Sequence, residues 1–418
     1  MKLKTLLYLS LTTLLATFAS AQQSPSLHDL FRSSSLVDWA QFNFDPAHDG
    51  YNPFESILNS ANVGNVTLKW SYMPSEGPVQ GQPAIVNGVA YFVAGSDEPE
   101  RGAVYALNAD TGAFIWKYVP GLLFGPPAVA NGMVYVSTNY VYALDANTGA
   151  LVWQNLRAGG ISTTVAGNIV YAQDVEFTAV DALDASTGTM LWQHVLSTFP
   201  NRSPAVANGV VYVSAQDGSV YALNTSTGDA IWTRQLGISP TPQATPYNTT
   251  GGLSVANGVV YVEAADPKSR PPRTYNVWAL DANTGATIWK SPPVGTLGLG
   301  DTTTPAVANG LVYVGAGGGV SALNAGTGAL IWQYGLLDTA GSPIVANGVV
   351  YAGSWKLAGE GTGHVTTTAL DAGSGAFLWN NTVFQTTADV ITTPAVVNGM
   401  IYGTAVTSGG FGAFGLPN

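Results

Sequence analysis

The chain has 418 residues, with 14 Lys and Arg against 25 Asp and Glu, and only 9% of its residues are charged. Such an acidic, sparsely charged chain lacks the basic clusters that bind phosphate backbones, which excludes a nucleic-acid-binding protein. It contains no cysteine, which excludes disulfides, thiolate metal sites, covalent c-type haem and lipid attachment through an N-terminal Cys. Its aromatic and β-branched content excludes a disordered chain.

The first 21 residues have the pattern of a signal peptide. Lys2 and Lys4 precede an apolar stretch at residues 6–18, and the small residues 19–21 form a cleavage site. The apolar stretch is short for a membrane span, and no comparable stretch follows. We therefore expect an exported chain, periplasmic or extracellular, that starts at about Gln22 and has no membrane span. Removal of the two lysines leaves 12 basic and 25 acidic residues, a net charge near −13.

Residues 22–65 are predicted to be an N-terminal lead segment, and residues 66–418 to be an array of repeats. One repeat, residues 203–232, contains four short β-rich runs separated by turn residues. Asn208-Gly209 separates the first two runs and Thr227-Gly228 the last two. The two-residue Asn-Gly loop is typical of a type I′ hairpin, because Asn and Gly tolerate positive φ.

The repeat occurs eight times. Each copy ends in a tryptophan: Trp70, Trp116, Trp153, Trp192, Trp232, Trp289, Trp332 and Trp379. The Asn-Gly turn occurs at Asn87, Asn131, Asn208, Asn257, Asn309, Asn347 and Asn398, with Gly167-Asn168 as a reversed variant. Four-stranded units of about 40 residues are typical of propeller blades.

The two ends of the chain are predicted to complete one blade. Residues 66–72 form a fourth strand without a preceding three, and residues 393–417 supply hairpin strands without a closing tryptophan. Pairing them removes two exposed sheet edges. We therefore predict an all-β fold, an eight-bladed β-propeller of four-stranded antiparallel blades closed by its N-terminal and C-terminal strands. We expect it to be monomeric.

Two parts of the sequence carry a family resemblance. Residues 144–153 and 280–289, both beginning Leu-Asp-Ala-Asn-Thr-Gly and ending in Trp, resemble the tryptophan-docking motif of pyrroloquinoline-quinone (PQQ)-type propeller repeats. The opening segment, residues 39–53, resembles the segment that begins quinoprotein dehydrogenases of that family. The resemblance implies that each closing tryptophan packs between adjacent blades and covers a Gly-containing turn of its neighbour.

One motif position is acidic in several repeats. It is occupied by Asp145, Asp184, Asp281 and Asp371, and by Asn108, Asn224 and Asn324 elsewhere. Four carboxylates in register would suggest a charged ring. However, Asn replaces Asp freely within the chain, and both side chains accept hydrogen bonds from turn amides. We therefore assign this position to turn structure.

The topology of a blade predicts which face binds ligands. The first and third turns lie on one face, and the second turn and the link to the next blade lie on the other. The Asn-Gly and Thr-Gly turns are short and uniform, so their face is interpreted as structural. The sizeable insertions, residues 96–101, 237–252, 263–276 and 354–364, all fall on the other face. Irregular loops on a rigid scaffold commonly bind partners, so we predict that this variable face is the binding face.

The candidate binding residues on the variable face are basic, aromatic and acidic. Lys268, Arg270 and Arg273 lie in one insertion and could bind an anionic group. Alternatively, they belong to a solvated loop with local ion pairs. Trp355 lies outside the docking register and serves either to anchor its loop or to stack on a planar ligand. The full set is Arg202, Glu263, Lys268, Arg270, Arg273, Trp355, Lys356 and His364.

The resemblance also raises the question of a cofactor. Dehydrogenases of this family use PQQ with Ca²⁺, an Asp base and commonly a vicinal disulfide, which this chain cannot form. The candidate oxygen ligands for a cation are Asp174, Glu176, Glu263, Asp301, Asp338 and Asp389. Asp301, Asp338 and Asp389 are also the catalytic candidates. None of them aligns with a family cofactor motif, so no cofactor or metal site is assigned.

Two functions remain open. The first is a non-catalytic exported scaffold that binds a protein or a small molecule on its variable face, supported by the missing cysteine and the compact blades. Its analogue is the propeller component of the outer-membrane β-barrel assembly machinery, a family normally anchored through a Cys that this chain lacks. The second is a PQQ-dependent dehydrogenase of an alcohol or sugar, which the opening segment favours. A hydrolase or lyase has no residue support.

Overall fold

The computed structural model describes residues 36–417, with gaps at 96–101, 122–124, 161, 175, 237–249, 266–273, 297–302, 317, 336–338, 360–361, 386–392 and 407–408. The predicted signal peptide, residues 1–21, lies outside the described residues. From Val37 onward the chain forms one compact unit.

The described residues form eight four-stranded antiparallel sheets, and each sheet is one blade. The first strand of each blade contacts the first strand of the next, and that of blade 8 contacts that of blade 1. The first strands therefore surround a common axis and the fourth strands lie outermost. This arrangement confirms the predicted eight-bladed β-propeller.

Blades 1 to 4 follow the chain in order. Their strands, from the inside outward, are Val79–Val86, Val89–Gly95, Gly102–Asn108 and Phe114–Tyr118; Ala128–Ala130, Met133–Ser137, Val141–Asp145 and Leu151–Asn155; Thr163–Ala166, Ile169–Asp174, Ala179–Asp184 and Met190–Val195; Ala205–Ala207, Val210–Ser214, Ser219–Asn224 and Ala230–Gln235.

Blades 5 to 8 carry the additional short strands. Their main strands are Thr250–Ala256, Val259–Ala265, Thr274–Asp281 and Thr287–Lys290; Ala306–Ala308, Leu311–Ala316, Gly319–Asn324 and Leu330–Gly335; Ile344–Ala346, Val349–Gly359, Thr362–Asp371 and Phe377–Gln385; Ala395–Val397, Met400–Val406, Gly410–Gly415 and Thr67–Tyr72. Gly295–Thr296 joins blade 5, and Thr339–Ala340 and the parallel strand Tyr51–Asn52 join blade 7. Val63–Asn65 is a 3₁₀ helix.

Blade 8 is built from both ends of the chain, as predicted. Thr67–Tyr72 pairs antiparallel with Gly410–Gly415, so that Trp70 lies opposite Ala413. The N-terminal strand thus supplies the fourth strand of a blade whose other three strands come from the C-terminus. Strand pairing closes the ring, and no disulfide contributes, since the chain has no cysteine.

The first turns have the geometry that their sequence predicts. Asn208 has φ 51° and Gly209 φ 79°, both positive as a type I′ turn requires, and the other six Asn-Gly turns agree. At Gly167-Asn168, only Gly167 has positive φ (61°). This is the pattern of a type II′ turn, in which glycine takes the first central position.

Hydrogen bonds from tryptophans join adjacent blades. The indole Nε1 of Trp116 donates to the carbonyl of Ala146 in the next blade, at 2.9 Å. Tyr91 of the same blade donates to that same carbonyl at 3.1 Å. The indole bond recurs at 2.8–3.0 Å for Trp70, Trp153, Trp192, Trp232, Trp289 and Trp332. Each aromatic side chain of this size buries roughly 150–250 Å².

Trp379 differs from the other seven closing tryptophans. It faces blade 8, where the chain break between Gly410–Gly415 and Thr67–Tyr72 replaces the usual third turn. Its indole packs edge-on against Phe414, with 5.4 Å between the ring centroids. The last blade interface is therefore held by aromatic packing and by the segment around Val63–Asn65, which contacts the strand of Trp379.

The expected insertion at residues 354–364 is not an irregular loop. The second and third strands of blade 7 continue as a long hairpin, in which Trp355 pairs with Val365 and Lys356 with His364. The interpretation of this stretch as a variable loop was wrong, because the strand ladder accommodates the additional residues. The insertions at 96–101, 237–252 and 263–276 lie wholly or largely outside the described residues.

Candidate functional site

The lead segment runs around the axis and hydrogen-bonds to the innermost strand of every blade. Trp39 exchanges two backbone hydrogen bonds with Ile85 of blade 1, each 2.7 Å long. The carbonyls of Ala40, Pro46, Ala47, Asp49 and Gly50 then accept the backbone N–H groups of Val129, Val206, Val255, Val307 and Val345, at 2.6–2.9 Å. Asn52 completes the circuit by donating to Val396 of blade 8 at 2.9 Å. The protein's own chain therefore occupies the axis near the first turns.

At blade 3 a side chain replaces the backbone of this segment. The Gln41 amide oxygen accepts from the N–H of Val165 at 2.9 Å, and its Nε2 donates to the Val165 carbonyl at 3.2 Å. His48 is also buried in this segment, and its Nε2 lies 3.1 Å from Thr164 Oγ1. Burial lowers the pKa of His48 to about 3, so the imidazole is neutral at physiological pH.

Toward the variable face, small polar residues line the axis. They stand three positions before the residue that meets the lead segment: Gln82, Ser162, Ser203, Gly252, Thr304, Ser342 and Thr393, with Pro126 in blade 2. Neighbours in this set touch one another, since Ser203 Oγ donates to Ser162 Oγ at 2.6 Å and Thr304 N–H to Ser342 Oγ at 2.9 Å. We call these residues the axial ring.

Arg202 and Glu263 lie beside the axial ring on neighbouring blades. Arg202 precedes Ser203, and its Cβ would lie 3.4 Å from a β-carbon built on Gly252. Glu263 is fully buried, and its Oε2 accepts the backbone N–H of Thr303 at 2.7 Å. The structure thus brings these two candidates to one arc of blades 4 to 6. Glu263 also ties blade 5 to blade 6.

Among the remaining described candidates, Trp355 and His364 lie on blade 7, outside that arc. Successive residues of a strand point to opposite faces, so Trp355 and His364 project to opposite sides of the blade 7 hairpin. The side chain of Lys356 lies outside the described residues, as do Lys268, Arg270, Arg273, Asp301, Asp338 and Asp389. Asp174 Oδ1 accepts the backbone N–H groups of Glu176 and Phe177, both at 2.9 Å.

The acidic motif position forms turns. Asp145 Oδ1 accepts from the backbone and the hydroxyl of Thr148, each at 2.8 Å, and these hydrogen bonds lower the Asp145 pKa. Asn324 Oδ1 accepts the same two bonds from Thr327, at 3.0 and 3.1 Å. An amide and a carboxylate are therefore interchangeable here, because only an acceptor oxygen is needed.

The described residues do not fit PQQ by themselves. A tricarboxylate cofactor with its cation needs several basic partners and a cage of carboxylates. Beside the axial ring, the described positions offer one basic residue, Arg202, and one carboxylate, Glu263, which already accepts the Thr303 N–H. No group of three or more His, Asp or Glu side chains in the described part of the chain forms a metal site.

Exposed apolar residues on the variable face were missed by the sequence analysis. Tyr140 and Phe177 lie in the second turns of blades 2 and 3, and Leu156, Val195 and Phe199 lie at the ends of outer strands or in blade links. Their exposed fractions run from 39% to 62%. We call these five residues the apolar arc. The signal that would have found them is a large apolar residue at a position where other repeats have turn residues.

The opposite face also carries a groove. A cavity of about 610 Å³ lies between blades 3 and 4 against the lead segment, lined by residues that include Asp45, Ala47, Asn168 and Tyr171. Burial raises the pKa of Asp45, and burial followed by the charge of Asp45 raises that of Asp49 to about 7. The sequence analysis interpreted this face as purely structural because its turns are uniform. The groove is present because residues of the lead segment form one of its walls.

The sequence matches a known family across most of the chain. The PQQ-type repeat family described as "Outer membrane protein assembly factor BamB" matches residues 60–175, 137–268, 178–358 and 273–397. The chain belongs to this family. The resemblance of the docking motifs to PQQ-type repeats is thereby confirmed.

Proteins whose names indicate different functions are similar to this chain. Tetrathionate hydrolase of Acidithiobacillus ferrooxidans is 25% identical over 334 residues, which cover 72% of this chain and 58% of the hydrolase. The crystal structure of BamB from Moraxella catarrhalis superposes with a TM-score of 0.63 and 20% identity, covering 84% of this chain and 100% of that one. Quinohemoprotein alcohol dehydrogenase ADHIIG from Pseudomonas putida HK5 gives a TM-score of 0.64 and 17% identity, covering 91% and 77%.

These likenesses establish the propeller and the repeat family. This chain spans 58% of the length of the hydrolase, so the activity of that whole protein does not transfer with the alignment. No helix among the described residues has both the length and the apolar character required to cross a membrane.

Proposed function

We propose that this protein is an exported, non-catalytic scaffold that binds a partner protein through the apolar arc. The observation that carries the proposal is the arc itself. Five large apolar side chains, 39% to 62% exposed, lie on two adjacent blades of the variable face. Exposed apolar groups that cluster on a rigid surface are typical of protein-interaction sites. The partner is a protein, and the scaffold itself is a monomer.

The axis supports a scaffold over an enzyme. The lead segment meets all eight innermost strands, and two pairs of axial ring residues, Ser162 with Ser203 and Thr304 with Ser342, are hydrogen-bonded. These contacts hold neighbouring blades together at the axis. A propeller whose axis is occupied in this way can still bind a partner on its surface, because surface binding requires no axial cavity.

The family match and the predicted signal peptide both support an exported location. The family that matches residues 60–397 is described as an outer membrane protein assembly factor. Residues 1–21 have the charged, apolar and small-residue regions of a signal peptide.

Site-specific photo-crosslinking tests the proposed binding face. A photoreactive phenylalanine analogue is placed at Tyr140, Phe177 or Phe199 in the protein expressed with its leader. The matched controls are Asn147 and Ser186, exposed turn residues of the same two blades on the opposite face. Adducts of a common mass are expected from the arc positions alone. Adducts from both faces alike, or none from the arc, would overturn the proposal.

The alternative, a PQQ-dependent dehydrogenase of an alcohol or sugar, is supported by the quinohemoprotein alcohol dehydrogenase fold match. The test adds PQQ and Ca²⁺ to the purified protein and follows cofactor absorbance, thermal stability and dye-linked oxidation of an alcohol and sugar panel. Turnover would overturn the scaffold proposal. Single replacement of Asp301, Asp338 and Asp389 would then locate the base.

A hydrolase is the third candidate, favoured by the alignment with tetrathionate hydrolase over 72% of this chain. Consumption of tetrathionate by the purified protein measures it directly. Hydrolysis that is proportional to enzyme concentration would replace the scaffold proposal, and its absence would leave that proposal in place.

A further inference from the structure

Blade 3 breaks the repeat at two neighbouring positions. Asp174 ends its second strand, where the other blades have Ala94, Thr138, Ala215, Ala264, Ala316, Ser354 and Ala405. Asp181 lies on its third strand, where the others have Tyr105, Tyr142, Tyr221, Trp278, Ser321, Thr368 and Gly412. No other blade has an acid at either position. The two carboxylates therefore belong to blade 3 alone and are not part of the propeller pattern.

Both carboxylates point into the interface between blades 2 and 3. Asp174 shares its strand face with Val170 and Ala172, and Asp181 shares its face with Leu183. Those three residues pack in one apolar cluster with Tyr135 and Val141 of blade 2. Ala172 stands directly opposite Asp181 in the ladder, and Asp174 is two residues further along the same strand. The acids are thus diagonal neighbours on one buried face.

Neither carboxylate is satisfied by the protein. Asp174 is 1% exposed and Asp181 is 0% exposed. Asp174 Oδ2 has no hydrogen-bond donor, while Asp174 Oδ1 caps the following turn, and the side chain of Gln193, directly opposite in the ladder, is the one donor near Asp181 among the described residues. The described residues place no Lys or Arg in an ion pair with either acid. Two buried carboxylates side by side cannot both keep their charge without a compensating cation or a shared proton.

Two buried hydroxyls enter the same interface. Thr163 stands opposite Ala172 in the ladder, so Thr163, Ala172 and Asp181 form one row across blade 3. Ser137 lies two residues after Tyr135 on its strand and projects from blade 2 toward blade 3. Each is 1% exposed, and neither hydroxyl has a hydrogen-bond partner. These two unpartnered hydroxyl oxygens are observed independently of the acids. They indicate a bound cation that is coordinated by oxygen atoms.

We propose that Asp174, Asp181, Thr163 and Ser137 bind one Ca²⁺ ion between blades 2 and 3. Carboxylate and hydroxyl oxygens are the ligands that this hard cation prefers, and two carboxylates balance its charge. Ala172 separates Thr163 from Asp181 in this row. This site lies between two blades, and its ligand Thr163 directly follows Ser162 of the axial ring.

The ion also orders the turn that follows Asp174. Because Asp174 caps the turn that carries Phe177, the bound ion fixes that turn as well. The site itself does not depend on the proposed function.

Thermal unfolding of the full mature protein tests the site. Protein treated with a chelator is titrated with CaCl₂ at pH 7.5, against NaCl at matched ionic strength. A saturable rise in Tm of about 2 °C or more is expected from Ca²⁺, because the ion binds only the folded state. Calorimetric titration is expected to give one site per chain. An equal response to NaCl, or no saturable response to millimolar Ca²⁺, would overturn the proposal.

Asp181→Asn and Asp174→Asn locate the ion, with Asp145→Asn as the matched control. Asn already replaces Asp at the Asp145 position in other blades, so this control keeps the Ca²⁺ response. Both site variants are expected to lose it. Asp181→Asn removes a buried charge and should raise the Tm of the metal-free protein at pH 7.5, so loss of the response cannot be attributed to unfolding. A site variant that keeps the response, or a purely pH-dependent effect of Asp181→Asn, would overturn the proposal.

Discussion

Trp70 covers Gly112 of the following blade so closely that a β-carbon built on Gly112 would lie 2.6 Å from Trp70 Cε3. The same indole donates to the carbonyl of Ala109 at 2.9 Å. Gly112 has φ +70°, so the turn needs glycine for its backbone and again for the space beneath the ring. The relationship recurs in every blade that has a third turn, and it couples each blade to the one before.

Gly112→Ala should destabilise the protein by roughly 2–5 kcal/mol. The positive φ costs an L-residue about 1–2 kcal/mol, and displacement of the indole adds about 1–3 kcal/mol for an overpacked site. The free energy of unfolding from urea denaturation measures the loss. Gly132→Ala is the matched control, since Gly132 has φ +75° with nothing within 4 Å of a β-carbon. Equal losses in the two variants would show that the tryptophan contact contributes nothing.

Gln41→Ala should cost about 2–4 kcal/mol, because it leaves both the N–H and the carbonyl of Val165 buried without partners. Urea denaturation again provides the measurement. Gln154→Ala, on the exposed outer strand of blade 2, should change stability by no more than about 0.5 kcal/mol. A loss at Gln41 as small as that at Gln154 would mean that the lead segment does not stabilise blade 3.

His48 should make the protein less stable in acid. Its pKa is about 3 in the folded state, against 6.5 for an unperturbed histidine, so the unfolded chain binds the proton more readily as the pH falls below about 6.5. The stability contribution is fully present above that pH and is lost toward pH 3. At pH 5 the loss is about 2 kcal/mol, from 1.36 kcal/mol per pKa unit.

His48→Gln should remove that acid dependence, and His194→Gln, on the outer strand of blade 3, should keep it. The comparison is the difference in unfolding free energy between pH 7.5 and pH 5 for the two variants and the parent. Parallel curves for all three proteins would contradict the buried neutral imidazole.

Asp49→Asn should stabilise the protein at neutral pH. Burial and the charge of Asp45 raise the Asp49 pKa from 3.8 to about 7, so the folded state holds a proton that the unfolded chain releases. The contribution of Asp49 is therefore intact below about pH 4 and declines as the pH rises through 7. The asparagine keeps an acceptor for the Tyr51 N–H. Higher Tm than the parent at pH 7.5, with no gain at pH 4, is the expected result, and a gain of the same size at both values would contradict it.

Much of the fold follows from local sequence. The seven Asn-Gly turns, the closing tryptophans and the turn acceptors such as Asp145 each depend on residues a few positions apart, so their spacing predicts strands, turns and blade number. The closure of blade 8 also followed, because two incomplete units have complementary missing strands. The hairpin at Trp355 and His364 was mistaken for a loop, since a strand extension and an insertion look alike when the repeat pattern is lost.

The candidate site was less accessible to sequence reasoning. Arg202 and Glu263 were named as candidates for the variable face, and the structure places them on one arc of blades. Tyr140, Phe177 and the other residues of the apolar arc were missed, although they are large apolar residues at positions where other repeats have turn residues. The role of Gln41 was also missed, since its partner Val165 is 124 residues away.

The sequence by itself determined the repeat, the number of blades and the way the ring closes, because turn geometry and strand period are properties of neighbouring residues. Only the tertiary structure decided that the lead segment surrounds the axis and that Asp174, Asp181, Thr163 and Ser137 enter one interface. Those relationships join residues of different strands and blades, whose contacts depend on the direction in which each side chain points once the blades are packed.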